Sequence, residues 1–270
     1  MRKHPVLSFA VLAIVPTWAV QFLSLAMGWD LMPAKLIELV FLLGAATLVT
    51  AVSGGRAAVK RLYAGAVRWR MGWGWFATAL LALPALTLAI AAVSGSLRTP
   101  SGGWLKEVLG YLFLTLIFGA VLGNVWEETA WAGFAQSRLM DRHGLVRGSL
   151  LTAIPFALIH LPLAFEDHGL RGTSGRDLAI TWTVLILAAP VIRYLLGMTL
   201  LGTGGSVLAV AILHASFNAS GALGAVHGWW PSYVAMLVLV AVMAAVRRRG
   251  QARLEDRGYA SAGSVSTLTR

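Results

Sequence analysis

Eight stretches of this chain are long and apolar enough to cross a bilayer: near 5–27, 34–54, 73–95, 107–137, 147–165, 177–202, 206–225 and 230–246. A hydrocarbon core of about 30 Å takes roughly 20 apolar residues per helix. Lipid offers no partner to the backbone, so continuous runs of this kind must satisfy their peptide groups internally, as helices do. With 58% apolar and only 12% charged residues, the chain lies well outside the balance of a soluble domain. The expected fold is all-α, a polytopic bundle of about eight transmembrane helices forming a single domain over 1–246. Residues 247–270 are small, polar and basic, and are expected to form a disordered cytoplasmic tail.

A formal charge of +11 raises the question of nucleic acid, but the placement of the charges points elsewhere. With eight spans, 16 of the 22 Lys and Arg fall on the same side as both termini, five fall opposite, and Arg193 lies within a span. The positive-inside rule then predicts cytoplasmic termini and an exposed outer loop at 166–176. The basic excess is a topology signal with an added attraction to anionic lipid, and no nucleic-acid partner is expected. The expected location is the plasma membrane, as an integral multi-pass protein. The apolar part of the first thirty residues exceeds an ordinary signal peptide and is expected to remain as the first span. The absence of cysteine excludes disulfides, thiolate metal sites and a cysteine nucleophile.

Against this apolar background the stretch "WEETAWAGF" at 126–134 sets two adjacent carboxylates inside a span. Each ionisable group at that depth costs about 2.5 to 3.5 kcal/mol on insertion scales, whereas each Leu or Ile returns about 0.3 to 0.6. Asn124, His160, Arg193, His214 and Asn218 carry similar penalties. A lone intramembrane His or Asn more often bonds a neighbouring helix than performs chemistry. Depth makes these residues a set: at a rise of 1.5 Å per residue, Glu127, His160 and His214 lie about 15 to 20 Å from the turns on the terminal side. His214 and Asn218 share one helix face, as do Phe156 and His160. Glu127 and Glu128 point about 100° apart, so one can serve chemistry while the other makes a supporting contact. Pro155 and Pro162 bracket His160 and permit local unwinding, or simply a kink.

Carboxylate, imidazoles and carboxamide facing one cavity suit hydrolysis. Glu and His can activate water, and His with Asn can donate to a developing oxyanion; a divalent metal held by the same groups is the alternative. The double glutamate at 127–128, the F-x-x-x-H of Phe156 and His160 and the H-x-x-x-N of His214 and Asn218 resemble the CaaX protease and bacteriocin-processing family of intramembrane endopeptidases, related to the Ras-converting CaaX endopeptidase. The likeness covers about 105–225. It implies Glu127 and His160 as the water-activating pair, His214 and Asn218 as stabilisers of the tetrahedral intermediate, and Glu128 as a structural or electrostatic partner. The family pattern carries an arginine where this chain has Ala132. Either Arg193 replaces that cation or Glu128 stays protonated.

The resemblance thus implies an intramembrane endopeptidase acting on a membrane-associated peptide or protein, of a type commonly classed as a metalloendopeptidase, with the scissile bond near the cytoplasmic leaflet. A catalytically weakened relative that binds a membrane peptide, as an immunity or scaffold protein would, is the alternative. Zinc would take Glu127, His160 and His214; the Asn218 carboxamide beside His214 favours instead a metal-independent, Glu/His-activated water. A third reading, a proton-coupled transporter, would call for inverted repeats, which are not evident. The "GTSG" at 172–175 has the form of a serine-nucleophile motif but sits in a polar segment expected to be a loop.

Overall fold

The computed structural model describes the backbone of residues 1–265 and the side chains of 1–250. Among the described residues ten α-helices follow one another: α1 (Pro5–Met27), α2 (Met32–Ala66), α3 (Trp73–Val93), α4 (Gly103–Leu112), α5 (Val125–Glu128), α6 (Ser137–His160), α7 (Gly169–Gly172), α8 (Gly175–Gly202), α9 (Val207–Gly221) and α10 (Trp230–Val265). Wider π-helical turns at Phe113–Asn124 and Thr129–Gln136 flank α5, and a 3-10 helix at Leu161–Phe165 continues α6. Among the described residues the only β pairing is an isolated bridge between Leu97 and Val226.

Among the described residues six segments are long and apolar enough to cross a membrane, and one of them, Gly103–Phe165, is 63 residues long. It does not run straight. Gly144 adopts φ 75° and ψ 172°, which breaks the helix, and the Gln136 side chain reaches Ser149 at 3.1 Å, thirteen residues on. A continuous helix would separate those residues by about 20 Å, so the two legs lie antiparallel. Counting both legs and the 15-residue α9, the chain makes eight passes, and the all-α membrane bundle expected from the apolar runs is present.

Two boundaries differ from the expectation. The basic 56–70 stretch is largely helical: α2 breaks at Gly55, φ 68°, and the second leg folds back until Tyr63 Oη and Thr47 Oγ1 are 2.7 Å apart. At the other end α10 runs on to Val265, through much of the segment expected to be a tail; residues 266–270 lie outside the described residues.

The bundle has two distinct ends. At one, Lys35 pairs with Glu166, the backbone NH of Arg98 donates to Ala225 O at 2.9 Å and that of His227 to Ser96 O at 2.9 Å. These contacts gather the loops before α2, after α3, after α6 and after α9. At the other, Arg2 Nε donates to Val52 O at 3.0 Å and Arg68 Nη1 to Gly204 O at 2.5 Å. Exposed Trp29, Trp104 and Trp229 mark the first end and Trp69 and Trp73 the second, as amphipathic indoles do at membrane interfaces. Between the ends, apolar side chains such as Val40, Leu81 and Leu187 face outward while Gln21, Glu128, Gln136 and Arg193 are buried. The ionisable groups within the spans are therefore kept inside a largely apolar bundle, away from lipid, which is how spanning helices tolerate them.

Candidate functional site

Three elements converge on the site. Helix α5 carries Glu127 and Glu128, the end of α6 carries His160, and α9 carries His214 and Asn218. Close approach of the π-helical turns to α9 depends on Gly119: a Cβ there would lie 2.6 Å from the Cβ of Ala215. Any larger residue would push away the helix that bears His214. Phe156 forms the floor, its ring 4.6 Å from that of His160 and 6.1 Å from that of His214. This gives the F-x-x-x-H spacing two uses, because the Phe156 carbonyl also accepts from His160 Nδ1 at 2.7 Å. With its proton on Nδ1, His160 presents an Nε2 lone pair. Directly after His160 the helix tightens to 3-10 with Pro162 in its first turn, the local change permitted by the flanking prolines.

The two acids face different surroundings. Glu128 is completely buried and so is Arg193. Arg193 Nη1 donates to both carboxylate oxygens of Glu128 at 2.9 Å, and His214 Nδ1 donates to Glu128 Oε1 at 2.8 Å. Arg193 Nη2 donates to Gln136 Oε1; Gln136 Nε2 returns a bond to Arg193 O at 2.6 Å and reaches Ser149. The guanidinium lies 5.2 Å from the Phe156 ring centroid. Such a charge-assisted network is what keeps a buried ion pair compatible with an apolar interior.

Glu127 is less committed. Asn124 Nδ2 donates to its Oε2 at 3.1 Å, while Oε1 is buried without a hydrogen-bond partner. That oxygen is 3.9 Å from His160 Nε2, and Oε2 is 4.0 Å from His214 Nδ1. These separations exceed a direct hydrogen bond but suit a small group bridging the pair. The Glu127 side chain keeps 13% exposure and His160 23%, against none for Glu128. A cavity of about 460 Å³ reaches His160, His214 and Asn218, with Glu127 behind the two imidazoles. Asn218, one turn beyond His214, is exposed on its wall.

All five residues expected at the site are therefore brought to one region, and the two acids diverge as their helical offset requires. Of the alternatives for Ala132, the geometry gives Arg193: Ala132 is fully buried and Arg193, from a different helix, engages Glu128. For a metal, the ligand atoms that come within 4.8 Å of one another belong to Glu127, Glu128 and His214. Glu128 is already engaged by Arg193 and His214. Zinc with bonds of about 2.0 to 2.1 Å sets tetrahedral ligand atoms roughly 3.3 Å apart, so Glu127 Oε1 and His160 Nε2, at 3.9 Å, fit a shared ion after a small adjustment.

Sequence reasoning missed Gln136 and Ser149, which complete the Arg193 network, and the buried pair Gln21 Nε2 to Glu38 Oε2 at 2.9 Å on α1 and α2. The insertion penalty that singled out Glu127 applies equally to Gln21 and Glu38. The segment around Ser174, expected to be a loop, instead begins α8: Ser174 caps that helix, accepting from Asp177 N at 3.1 Å. His168 and His227 are exposed. The cavity also lies toward the end of the bundle away from the termini, not on the terminal side where the scissile bond was expected, because α6 delivers His160 only in its last turn.

The combination of a paired acid, an unpaired acid and two imidazoles on these three helices can be compared with known proteins. Residues 107–220 match the Rce1-like type II CAAX prenyl endopeptidase family. The three motifs resembled this group, and all three lie within the Rce1-like segment. A curated relative, "CAAX prenyl protease 2" of Methanococcus maripaludis, is 31% identical over 87 residues, covering 30% of this chain and 32% of that protein. The chain thus matches about a third of that relative's length. Gln21 and Glu38 lie outside the Rce1-like segment, whereas Arg193 and Gln136 lie inside it.

Proposed function

We propose that this protein is an intramembrane endopeptidase that hydrolyses a peptide bond of a membrane-associated peptide or protein. The observation that carries the reading is the partly exposed pair Glu127 and His160, 3.9 Å apart with an unpartnered carboxylate oxygen, beside a fully engaged Glu128. A water held between them donates one proton toward Glu127 and the other toward the His160 Nε2 lone pair, leaving an oxygen lone pair for attack on a carbonyl. Glu127 takes the proton and passes it to the leaving amine. His214 and Asn218 line the same cavity and donate to the oxyanion. Glu128 orients His214 through Nδ1, as a carboxylate fixes the ring of a catalytic histidine.

This role sets a condition on His214. With one proton committed to Glu128, donation from Nε2 requires a second proton, so the ring works as an imidazolium with Glu128 as its counter-ion. A zinc ion held by Glu127, His160 and His214 would instead need the Nε2 lone pair, and would supply a more acidic bound water. The metal-independent water is the reading adopted. Nitrogen NMR of selectively labelled His214 in active protein is expected to show both nitrogens protonated. A neutral ring with stoichiometric zinc, and activity lost on chelation and restored by zinc, would overturn that choice. The peptidase reading itself is tested by incubating purified protein and its Glu127→Gln variant with a peptide library. Cleavage by the first and none by the second is expected; equal cleavage, or none by either, would sink it.

A further inference from the structure

The cavity is not placed symmetrically between the two ends of the bundle. Its α8 wall runs along one face from Ile180 to Ile192, beginning about 8 Å from the first residue of that helix at a rise of 1.5 Å per residue. Helix α6 contributes Phe156 and its last residue, His160, with Leu163 and Ala164 of the following 3-10 turn; α9 supplies His214 from its middle and Phe217 and Asn218 from its second half, and the first turn of α10 supplies Tyr233. All four are drawn toward the end of the bundle where Lys35 meets Glu166. That end is opposite Arg2, the folded-back leg of α2 and the Gly144 turn.

The two ends differ sharply in charge. Among the described residues the end with the termini carries 15 Lys and Arg against three acids, Asp141, Glu255 and Asp256. The end to which the cavity is displaced carries five basic residues, Lys35, Arg98, Lys106, Arg171 and Arg176, against five acids, Asp30, Glu107, Glu166, Asp167 and Asp177. Membrane insertion retains the basic-rich end in the cytoplasm. Apart from the imidazoles, the cavity wall presents no ionisable group but Tyr233, and its α8 face is Ile, Val, Leu and Ala apart from Thr181. An apolar, uncharged peptide segment matches that lining, because a charged one would lose hydration without gaining a partner.

We infer that the reactive cavity opens on the non-cytoplasmic side of the membrane, and that its substrate is an apolar peptide segment presented from that leaflet. The inference about substrate rests on the endopeptidase reading above; the side of the opening does not. Peptides that have already crossed the membrane, or remain anchored in its outer leaflet, are then the substrate class, and the cytoplasmic end serves for orientation.

The chain has no cysteine, so single thiols can be introduced into the full-length protein and labelled in cells with a membrane-impermeant maleimide. Thr181→Cys at the cavity mouth and Asp167→Cys in the loop at the same end, both exposed in the wild type, are expected to label in intact cells. Arg61→Cys is expected to label only after permeabilisation. Having two positions at the cavity end keeps the result readable if one variant misfolds. The reverse pattern, or labelling of all three in intact cells as a mixed orientation would produce, overturns the inference. In a second arm, right-side-out and inside-out vesicles receive an impermeant, quenched apolar peptide library. Cleavage confined to right-side-out vesicles is expected, and cleavage confined to inside-out vesicles overturns the inference. Cleavage in neither, with the labelling as expected and no turnover in detergent, rejects the endopeptidase reading while the opening remains non-cytoplasmic.

Discussion

The wall of the site around Glu128 and the wall around Glu127 are built from the same turn of helix, yet they solve opposite problems. Around Glu128 the carboxylate accepts from Arg193 on both oxygens and from His214, Gln136 braces the guanidinium, and the ion pair has no exposed surface. Around Glu127 one oxygen has a single amide donor, the other has none, and a cavity lies beyond the imidazoles. The first arrangement minimises the penalty of burying charge; the second leaves a carboxylate poorly satisfied next to open space. A membrane protein tolerates the second only because the first holds the helices in place. The contrast teaches that adjacent residues in one motif can divide into a support and a working group according to which neighbouring helix each meets.

The largest expected effect breaks the supporting side. Arg193→Leu strands Glu128 in an apolar interior, and removing one partner of a buried pair typically costs about 3 to 5 kcal/mol. Thermal unfolding in detergent should show a large loss of stability or of folded yield. Adding Ala132→Arg to that variant, one turn from Glu128 on the same helix, should recover part of it. A harmless Arg193→Leu would show that the network is not what holds Glu128.

Next in size is the working side. Glu127→Gln should lower turnover by about 10² to 10⁴-fold, the range for loss of a general base, while thermal stability stays near that of the wild type. Glu128→Gln should show the converse balance, with lowered stability and a smaller direct effect on chemistry. Equal loss of turnover with unchanged stability in both variants would erase the distinction drawn here.

A smaller effect tests how tightly the support is packed. A Cβ on Gly197 would lie 2.5 Å from Gln136 Nε2 and 2.8 Å from Ser149 Oγ. Gly197→Ala should therefore displace Gln136 and destabilise by about 1 to 3 kcal/mol, as overpacking of a dense interior does. Retained stability would mean that the Gln136 bridge yields without loss.

The smallest effect is expected at the solvent-facing end. Lys35 and Glu166 form an ion pair with 29% and 41% of their side chains exposed. Lys35→Met should change stability by no more than about 1 kcal/mol, with less effect at high salt. A loss as large as that from Arg193→Leu would place a main support of the fold outside the site.

The apolar runs by themselves determined the eight-pass helical bundle, because lipid leaves the backbone no alternative partner and most of the runs approach or exceed the roughly 20 residues a crossing takes; α9, at 15 residues, is shorter than that. They also exposed Glu127, Glu128, His160, His214 and Asn218, since polar groups stand out where hydrophobic residues are required. Helical offset was enough to predict that the two acids diverge. It was not enough to say which acid Arg193 meets: Arg193 is 65 residues from Glu128, and no local rule sets the rotation of α8 against α5. The same holds for Gln136, whose partners lie on α8 and beyond the Gly144 turn, and for Gln21 and Glu38, which meet across two helices. The position of the cavity, too, came only from packing: intervals counted along single helices gave depth, but which helix ends splay to leave space depends on side chains filling the gap between four of them. Periodicity along one chain encodes what each helix buries; only the docked helices decide what each buried group touches.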